Sequence, residues 1–157
     1  MNNVSETIVT NFIHYYEDFN TRAHILAKPL SEEQFWVKPY NYGNSFGNLV
    51  LHITGNLNYY IGTQIAQTGY IRDRPSEFSK ILIGQKIETL SELNNAVKMV
   101  IQTLGVQRDD DWSKPYSAEG VDDVHDRFGI FLRCSVHFHH HVGQMIYLSK
   151  ELTKTVV

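Results

Sequence analysis

Apolar residues recur every three to four positions in four segments of the chain, which is the spacing of one buried face of an α-helix. The first segment runs from Ile8 to Leu26 and stops near Pro29. The second begins at Asn44 and Ser45, two residue types favoured at helix N-caps. Its apolar stripe comprises Phe46, Leu49, Val50, Ile53, Leu57, Tyr60, Ile61 and Ile65. Both segments are long enough to predict helices that pack in a core.

The third and fourth segments have recognisable helix ends. The third opens with the capping-box pattern of residues 89–92, Thr-Leu-Ser-Glu, and ends at Gly105, a residue typical of the position after a helix. The fourth begins near Asp123, has Asp126 in its first turn, and runs to about Leu152. An acidic residue in the first turn is favourable because it faces the positive end of the helix dipole.

The remaining segments connect these helices. Ser31 with Gln34 forms another capping box and predicts a short helix through Trp36. Residues 67–88 and 106–122 form connections that exceed the usual length between packed helices, and long connections are often functional. There is no repeat and no alternating strand pattern. The sequence therefore predicts an all-α fold, a four-helix bundle with long crossover loops, in one domain over residues 1–157.

Composition narrows the class of protein. The chain has 157 residues, 42% of them apolar and 20% charged, which is ordinary for one globular domain. A net charge of −3 without a Lys/Arg stripe argues against a nucleic-acid partner. A single cysteine excludes an internal disulfide framework and suits a reducing compartment. The first residues do not resemble a signal peptide, and no apolar run is long enough to span a membrane. We expect a soluble, cytoplasmic protein.

Four of the eight histidines lie within residues 137–141, in the last helical segment. His137 and His141 are four residues apart and share one helix face with apolar residues, so both should point toward the core or a cavity in it. A buried imidazole needs a partner, since an unsatisfied buried polar group costs on the order of 1–3 kcal/mol. A shared metal ion would satisfy both, whereas separate hydrogen bonds to carbonyls or carboxylates are the alternative.

Two histidines do not hold a metal tightly, so a third ligand must come from another element. His52 in the second helical segment is our candidate, and Asn56 one turn later could orient its imidazole. His52 lies beside the main apolar stripe, however, and its surroundings alone favour a half-exposed side chain. If the three imidazoles meet, the site keeps open coordination positions, as catalytic metal sites do.

Other reactive residues have plainer interpretations. His139 faces a different side of the helix and is interpreted as a packing or dimer-contact residue, and His140 as a rim residue. Cys134 could be a fourth ligand or a redox-sensitive thiol, but a small buried apolar residue is the commoner role. Arg72 and Arg74 could meet an anionic substrate, although a solvated loop face is the more common arrangement. The last helix is apolar on more than one side, which predicts a homodimer.

The order of these features resembles the DinB-like (DinB/YfiT) superfamily of bacterial four-helix metalloproteins over essentially the whole chain. The matching residues are the segment 47–53, GNLVLHI, and above all the H-x-x-x-H-x-G-Q ending of residues 137–144. The resemblance implies that His52, His137 and His141 bind a divalent metal such as zinc or nickel, and that Gln144 is the glutamine that usually follows them. It also implies homodimers. A pair formed by His137 and His140 is a geometrically possible alternative.

Characterised relatives in that superfamily include thiol S-transferases and a maleylpyruvate isomerase, and most members have no assigned reaction. The leading hypothesis is a metal-dependent transferase that activates a low-molecular-weight thiol toward a small-molecule substrate. The first alternative is a metal-dependent hydrolase, with a general base supplied by Glu119, Asp122 or Asp123. The second is a non-catalytic, dimeric ligand-binding or stress-related bundle. The chain lacks the nucleophile-elbow, H-E-x-x-H, P-loop and dinucleotide motifs.

Overall fold

The computed structural model describes residues 4–154, and the secondary structure of that range is helical, with two isolated β-bridges in a loop and no strand. The helices are α1 (Val4–Ala27), α2 (Glu32–Trp36), α3 (Phe46–Leu57), α4 (Arg74–Ser79), α5 (Lys86–Gly105) and α6 (Arg127–Thr153). A π-helical segment, Asn58–Thr63, continues α3, and a 3-10 turn spans Asp109–Asp111. The predicted all-α class is confirmed. None of the helices in this range is both long and apolar enough to cross a membrane.

The four longest helices surround the core. Helix α1 packs against α5 and α6, and α3 packs against the same two helices. The largest fully buried side chains include Tyr16, Phe35, Phe46, Phe131, Phe138 and Ile53. The Tyr16 hydroxyl donates a hydrogen bond of 2.8 Å to the carbonyl of Phe131 and so joins α1 to α6 inside the core. That bond satisfies a buried hydroxyl, which would otherwise destabilise the fold.

Two predicted helix starts are confirmed. Ser31 and Gln34 form the capping box of α2, with the Ser31 amide donating to the Gln34 side chain at 2.9 Å. Ser45 is the N-cap of α3, and its hydroxyl oxygen accepts from the Asn48 amide at 3.0 Å. Both serines have extended backbones, which is the conformation that lets a side chain cap a helix.

The predicted starts of the last two long helices are wrong by three or four residues. Helix α5 begins at Lys86, so Thr89 lies inside it, and the Thr89 hydroxyl donates to the carbonyl of Gln85 at 2.7 Å instead of capping. A threonine can make this bond within a helix, which makes a capping-box pattern ambiguous. Helix α6 begins at Arg127, and Asp126 is its N-cap, accepting from the Gly129 amide at 2.7 Å.

The first long connection contains a helix that the sequence did not predict. Helix α4 has six residues, too few to show an apolar period, and Asp73 caps it. It packs against α3 at Gly55, where a Cβ atom would lie 2.1 Å from the Glu77 side-chain oxygen Oε1. The missing side chain of Gly55 therefore allows α4 to bring a carboxylate directly against α3, at the level of His52.

Candidate metal site

Three imidazoles from two helices converge on one point. Helix α3 supplies His52, and α6 supplies His137 and His141. The Nε2 atom of His137 lies 2.9 Å from Nε2 of His52 and 3.2 Å from Nε2 of His141. One nitrogen from each ring lies within 4.8 Å of the other two, close enough for all three to ligate one ion. The pair on α6 is thus His137 with His141, and metal ligation itself stays a prediction.

His52 is buried, with 5% of its surface exposed, so the interpretation of a half-exposed side chain is wrong. The ring of Phe78 from α4 lies 4.8 Å from the His52 ring, between centroids, and covers it. Helix α4, which covers His52, is the helix that the apolar pattern of the sequence did not predict. Burial of this histidine is therefore a consequence of tertiary packing.

Glu77 on α4 orients the His52 ring. Its Oε2 lies 2.8 Å from Nδ1 of His52, and Arg72 donates to the same carboxylate through Nε at 2.7 Å and Nη2 at 3.0 Å. Burial acts to raise the pKa of Glu77, but the hydrogen bonds from His52 and Arg72 outweigh it and hold the pKa below the ordinary value. Glu77 is therefore a carboxylate, and Nδ1 of His52 carries a proton toward it.

This arrangement corrects two predictions. Arg72 was expected on a solvated face, but its side chain is 9% exposed and pairs with buried Glu77; Arg74 is exposed, as expected. Asn56 was expected to orient His52, but that contact belongs to Glu77, and the buried Oδ1 of Asn56 has no hydrogen-bond partner among the described residues. Glu77 was missed because no sequence spacing links it to α3. A buried histidine needs a hydrogen-bond partner such as a carboxylate, but the sequence does not indicate which of the 17 acidic residues is that partner.

Gln144 contacts His141, one turn earlier on α6. Its Oε1 lies 2.8 Å from Nδ1 of His141, and its Nε2 lies 3.2 Å from Nε2 of His140, which is exposed at the rim as predicted. The amide oxygen accepts only, so Nδ1 of His141 is the donor. With Nδ1 protonated in both His52 and His141, their Nε2 atoms present lone pairs to each other and to His137. A cation would accept these lone pairs, and the donor set therefore fits a metal ion.

The electrostatics of the site keep two of the imidazoles neutral. Burial, reinforced by the neighbouring histidines His141 and His52, lowers the pKa of His137 from 6.5 to about 3. Burial also lowers the pKa of His141 from 6.5 to about 4, although the hydrogen bond that His141 donates to Gln144 acts to raise it. A neutral imidazole is the form that binds a metal, so these ligands need no deprotonation at neutral pH.

The other candidates lie away from this point. Cys134 is fully buried, as predicted for a small apolar residue, and burial raises the pKa of its thiol to about 12. A thiol that stays protonated is neither a metal ligand nor a reactive nucleophile. His139 stacks on Phe19 with ring centroids 5.0 Å apart, consistent with a packing residue.

A cleft of about 720 Å³ opens beside His52 and His137, and we call it the histidine cleft. Its other walls include Asn56, Tyr60, Arg72, Arg74, Glu119 and Arg133. The π-helical segment carries Tyr60 to this wall, and such segments are frequent at functional sites. Of the acidic residues proposed as general bases, Glu119 lines the cleft, and Asp123 pairs with Arg133.

The chain is similar in sequence to one family of proteins. A family model described as "Protein of unknown function (DUF1572)" matches residues 3–156 of the 157-residue chain. No curated protein matches the chain. No solved structure matches it either. The site must therefore be interpreted from its own chemistry.

Proposed function

We propose that this chain, which belongs to the DUF1572 family of proteins of unknown function, is a metal-dependent transferase that activates a low-molecular-weight thiol. The observation that carries the proposal is the meeting of His52, His137 and His141, with their Nε2 atoms 2.9 and 3.2 Å apart, at the wall of the histidine cleft. Imidazole ligands suit zinc, nickel, iron and copper, and the resemblance to the DinB-like superfamily favours zinc or nickel among them.

A divalent metal held by three histidines keeps open positions and favours the thiolate form of a thiol bound there. The residues of this chain prepare the ligands for that role. Glu77 holds a proton on Nδ1 of His52, and Gln144 accepts one from Nδ1 of His141, so both Nε2 atoms remain free to bind. Partners of this kind fix the ring orientation and raise the basicity of the ligand. The adjoining cleft has room for a small-molecule substrate.

The resemblance to the DinB-like superfamily supports the same proposal. We infer that α1, α3, α5 and α6 form its four-helix bundle, with α2 and α4 in the crossovers, because each of the four long helices packs on two of the others. We also propose a homodimer. Helices α1 and α6 expose large apolar side chains along a shared groove, among them Tyr15, Leu132 and Val136.

The experiment is a comparison of metal-loaded, untagged protein with its His141→Ala variant in a panel of low-molecular-weight thiols and electrophiles. We expect thiol-dependent transfer in the wild type, and loss of both metal and transfer in the variant with α-helical content retained. The fold should survive because a metal seated on a packed helical core is not its main source of stability. Elemental analysis and circular dichroism give the two control readings. Wild type and variant equally inert, with no metal retained, would favour the non-catalytic alternative.

Metal-dependent hydrolysis is the second candidate, since Glu119 supplies an exposed carboxylate at the same cleft. A carboxylate in that position could take a proton from water activated by the metal. Turnover of an ester or amide with no thiol present, and its loss in Glu119→Gln, would support hydrolysis over transfer. If Glu119→Gln instead leaves thiol transfer intact, the first candidate stands.

A further inference from the structure

Three guanidinium groups line the histidine cleft, and they differ in how far their charge is already neutralised. Arg72 makes two hydrogen bonds to buried Glu77, so its charge is compensated inside the protein. Arg74 is exposed, and its guanidinium lies 5.6 Å from the ring centroid of Phe78. Arg133 is 32% exposed and pairs through Nε, at 3.3 Å, with Asp123, whose side chain is 74% exposed. Such an exposed pair contributes little and exchanges readily.

Arg133 lies close to the histidine site along α6. It precedes His137 by four residues on α6, so the two share a helix face about 6 Å apart along the axis. Its guanidinium lies over the ring of Tyr60, 5.6 Å from the centroid. The Tyr60 carbonyl accepts from the Tyr116 hydroxyl at 2.8 Å, which ties this wall to the second long loop. The Arg133 guanidinium has five N–H donors, of which Nε pairs with Asp123, and the fork that these donors form matches a planar carboxylate.

We propose that Arg133 binds a carboxylate on the thiol, so that the cofactor is an anionic, carboxylate-bearing thiol held between Arg133 and the histidine site. The inference rests on the proposed function. The incoming carboxylate replaces Asp123 as the partner of Arg133. A single negative charge is favoured over a phosphate dianion, because Glu119 on the same cleft repels additional negative charge.

The test compares two thiols of equal length, 4-mercaptobutyrate and 4-mercapto-1-butanol, titrated calorimetrically into the zinc-loaded full chain. The four-carbon acid spans roughly one helical turn, the spacing of Arg133 and His137. We expect the wild type to bind the acid at least about tenfold more tightly than the alcohol, the usual effect of a charged hydrogen bond. Arg133→Gln should abolish this preference while the alcohol binds as before, and Arg133→Lys should retain part of it.

Two controls locate the effect. Arg22→Gln makes the same change of charge on α1, where Arg22 lies 3.9 Å from Asp18 outside the cleft, and it should keep the preference. Equal binding of acid and alcohol to the wild type would overturn the inference and leave the proposed function standing. A preference lost in Arg74→Gln but kept in Arg133→Gln would also overturn it. Failure of both thiols to bind would instead refute the thiol function itself.

Discussion

On the cleft side of α6, His137 and His141 meet His52 and the polar contacts of Glu77 and Gln144. On the side of α6 that faces α1, His139 stacks on Phe19 beside an apolar groove of about 410 Å³. We call this the α1–α6 groove. Histidines two residues apart therefore enter different environments. The neighbours of a histidine on α6, rather than its residue type, therefore determine whether its imidazole can bind a metal.

The histidine site and the α1–α6 groove also differ in the kind of partner that would bind to them. The Nε2 atoms of His52 and His141 present lone pairs that a cation would accept, because the Nδ1 atoms of the same two rings already donate hydrogen bonds. The α1–α6 groove presents mainly carbon, with Val136 61% and Leu132 44% exposed. Apolar surface of this kind is stabilised by covering it with other apolar surface. One face of α6 thus presents groups that fit a metal ion, and the other presents apolar side chains that fit a packing partner.

Removing a single histidine from α6 should have very different consequences on its two sides. His137→Ala should reduce bound metal from about one ion per chain to nearly none, because two histidines do not hold a divalent ion tightly. His139→Ala is the matched control, since it removes an imidazole two positions away and should leave the metal content unchanged. Elemental analysis of both proteins after equal metal loading gives the result. Equal metal loss in both variants would contradict the assignment of separate roles.

Loss of the contact between Glu77 and His52 should lower metal affinity less than the loss of a ligand does, and more than the loss of a surface contact does. Glu77→Gln keeps the shape and removes the charge that holds Nδ1–H, so metal affinity should fall roughly 10- to 100-fold. Competition with a chelator of known affinity measures this change. The control is Glu92→Gln, which makes the same change at an exposed acidic residue on α5. Unchanged affinity in Glu77→Gln would show that His52 is oriented without its carboxylate.

The α1–α6 groove predicts an effect on assembly alone. If two copies pack through this groove, Val136→Glu should weaken the dimer by at least about tenfold, since it would bury an unpaired carboxylate. Metal content should stay at the wild-type level. Ile87→Glu on α5 is the control, because Ile87 is 75% exposed and lies outside the groove. Light scattering over a concentration series checks both variants, and a mass of 18.1 kDa for the wild type throughout would refute the dimer.

In the metal-free protein, the buried histidines should have a modest effect on how stability depends on pH. Because the pKa of His137 is about 3 and that of His141 about 4, the unfolded chain binds protons below pH 6.5 while the native site does not. The free energy of unfolding should therefore rise with pH between about 5 and 7, with a slope of at most two protons from this pair. Urea denaturation at several pH values measures the slope.

The pKa values of two other titratable groups also matter for the pH dependence of the free energy of unfolding. Burial lowers the pKa of His24 as well, which adds to the slope in the same direction. Glu77 has a pKa below its ordinary value of 4.5 and so stays ionised over this range. His141→Gln should flatten the dependence relative to the wild type, and an unchanged slope in that variant would show that His141 does not titrate as described.

The sequence allowed the helical class, the apolar faces and the i, i+4 pair on α6 to be predicted, because each depends on residues near one another in the chain. The capping of α2 and α3 by Ser31 and Ser45 was predictable for the same reason. Local pattern was less informative where two local structures compete. Thr89 illustrates this, since its hydroxyl bonds inside α5 instead of capping it.

Tertiary structure alone decided the surroundings of the histidines. Burial of His52, its contact with Glu77 and the pairing of Arg72 with that carboxylate all depend on α4, which is too short to show a period. The close approach of α4 depends in turn on Gly55, whose missing Cβ leaves space for Glu77. Spacing along a helix determines which side chains share a face, whereas the pKa and protonation of a side chain depend on groups that packing brings in from other elements.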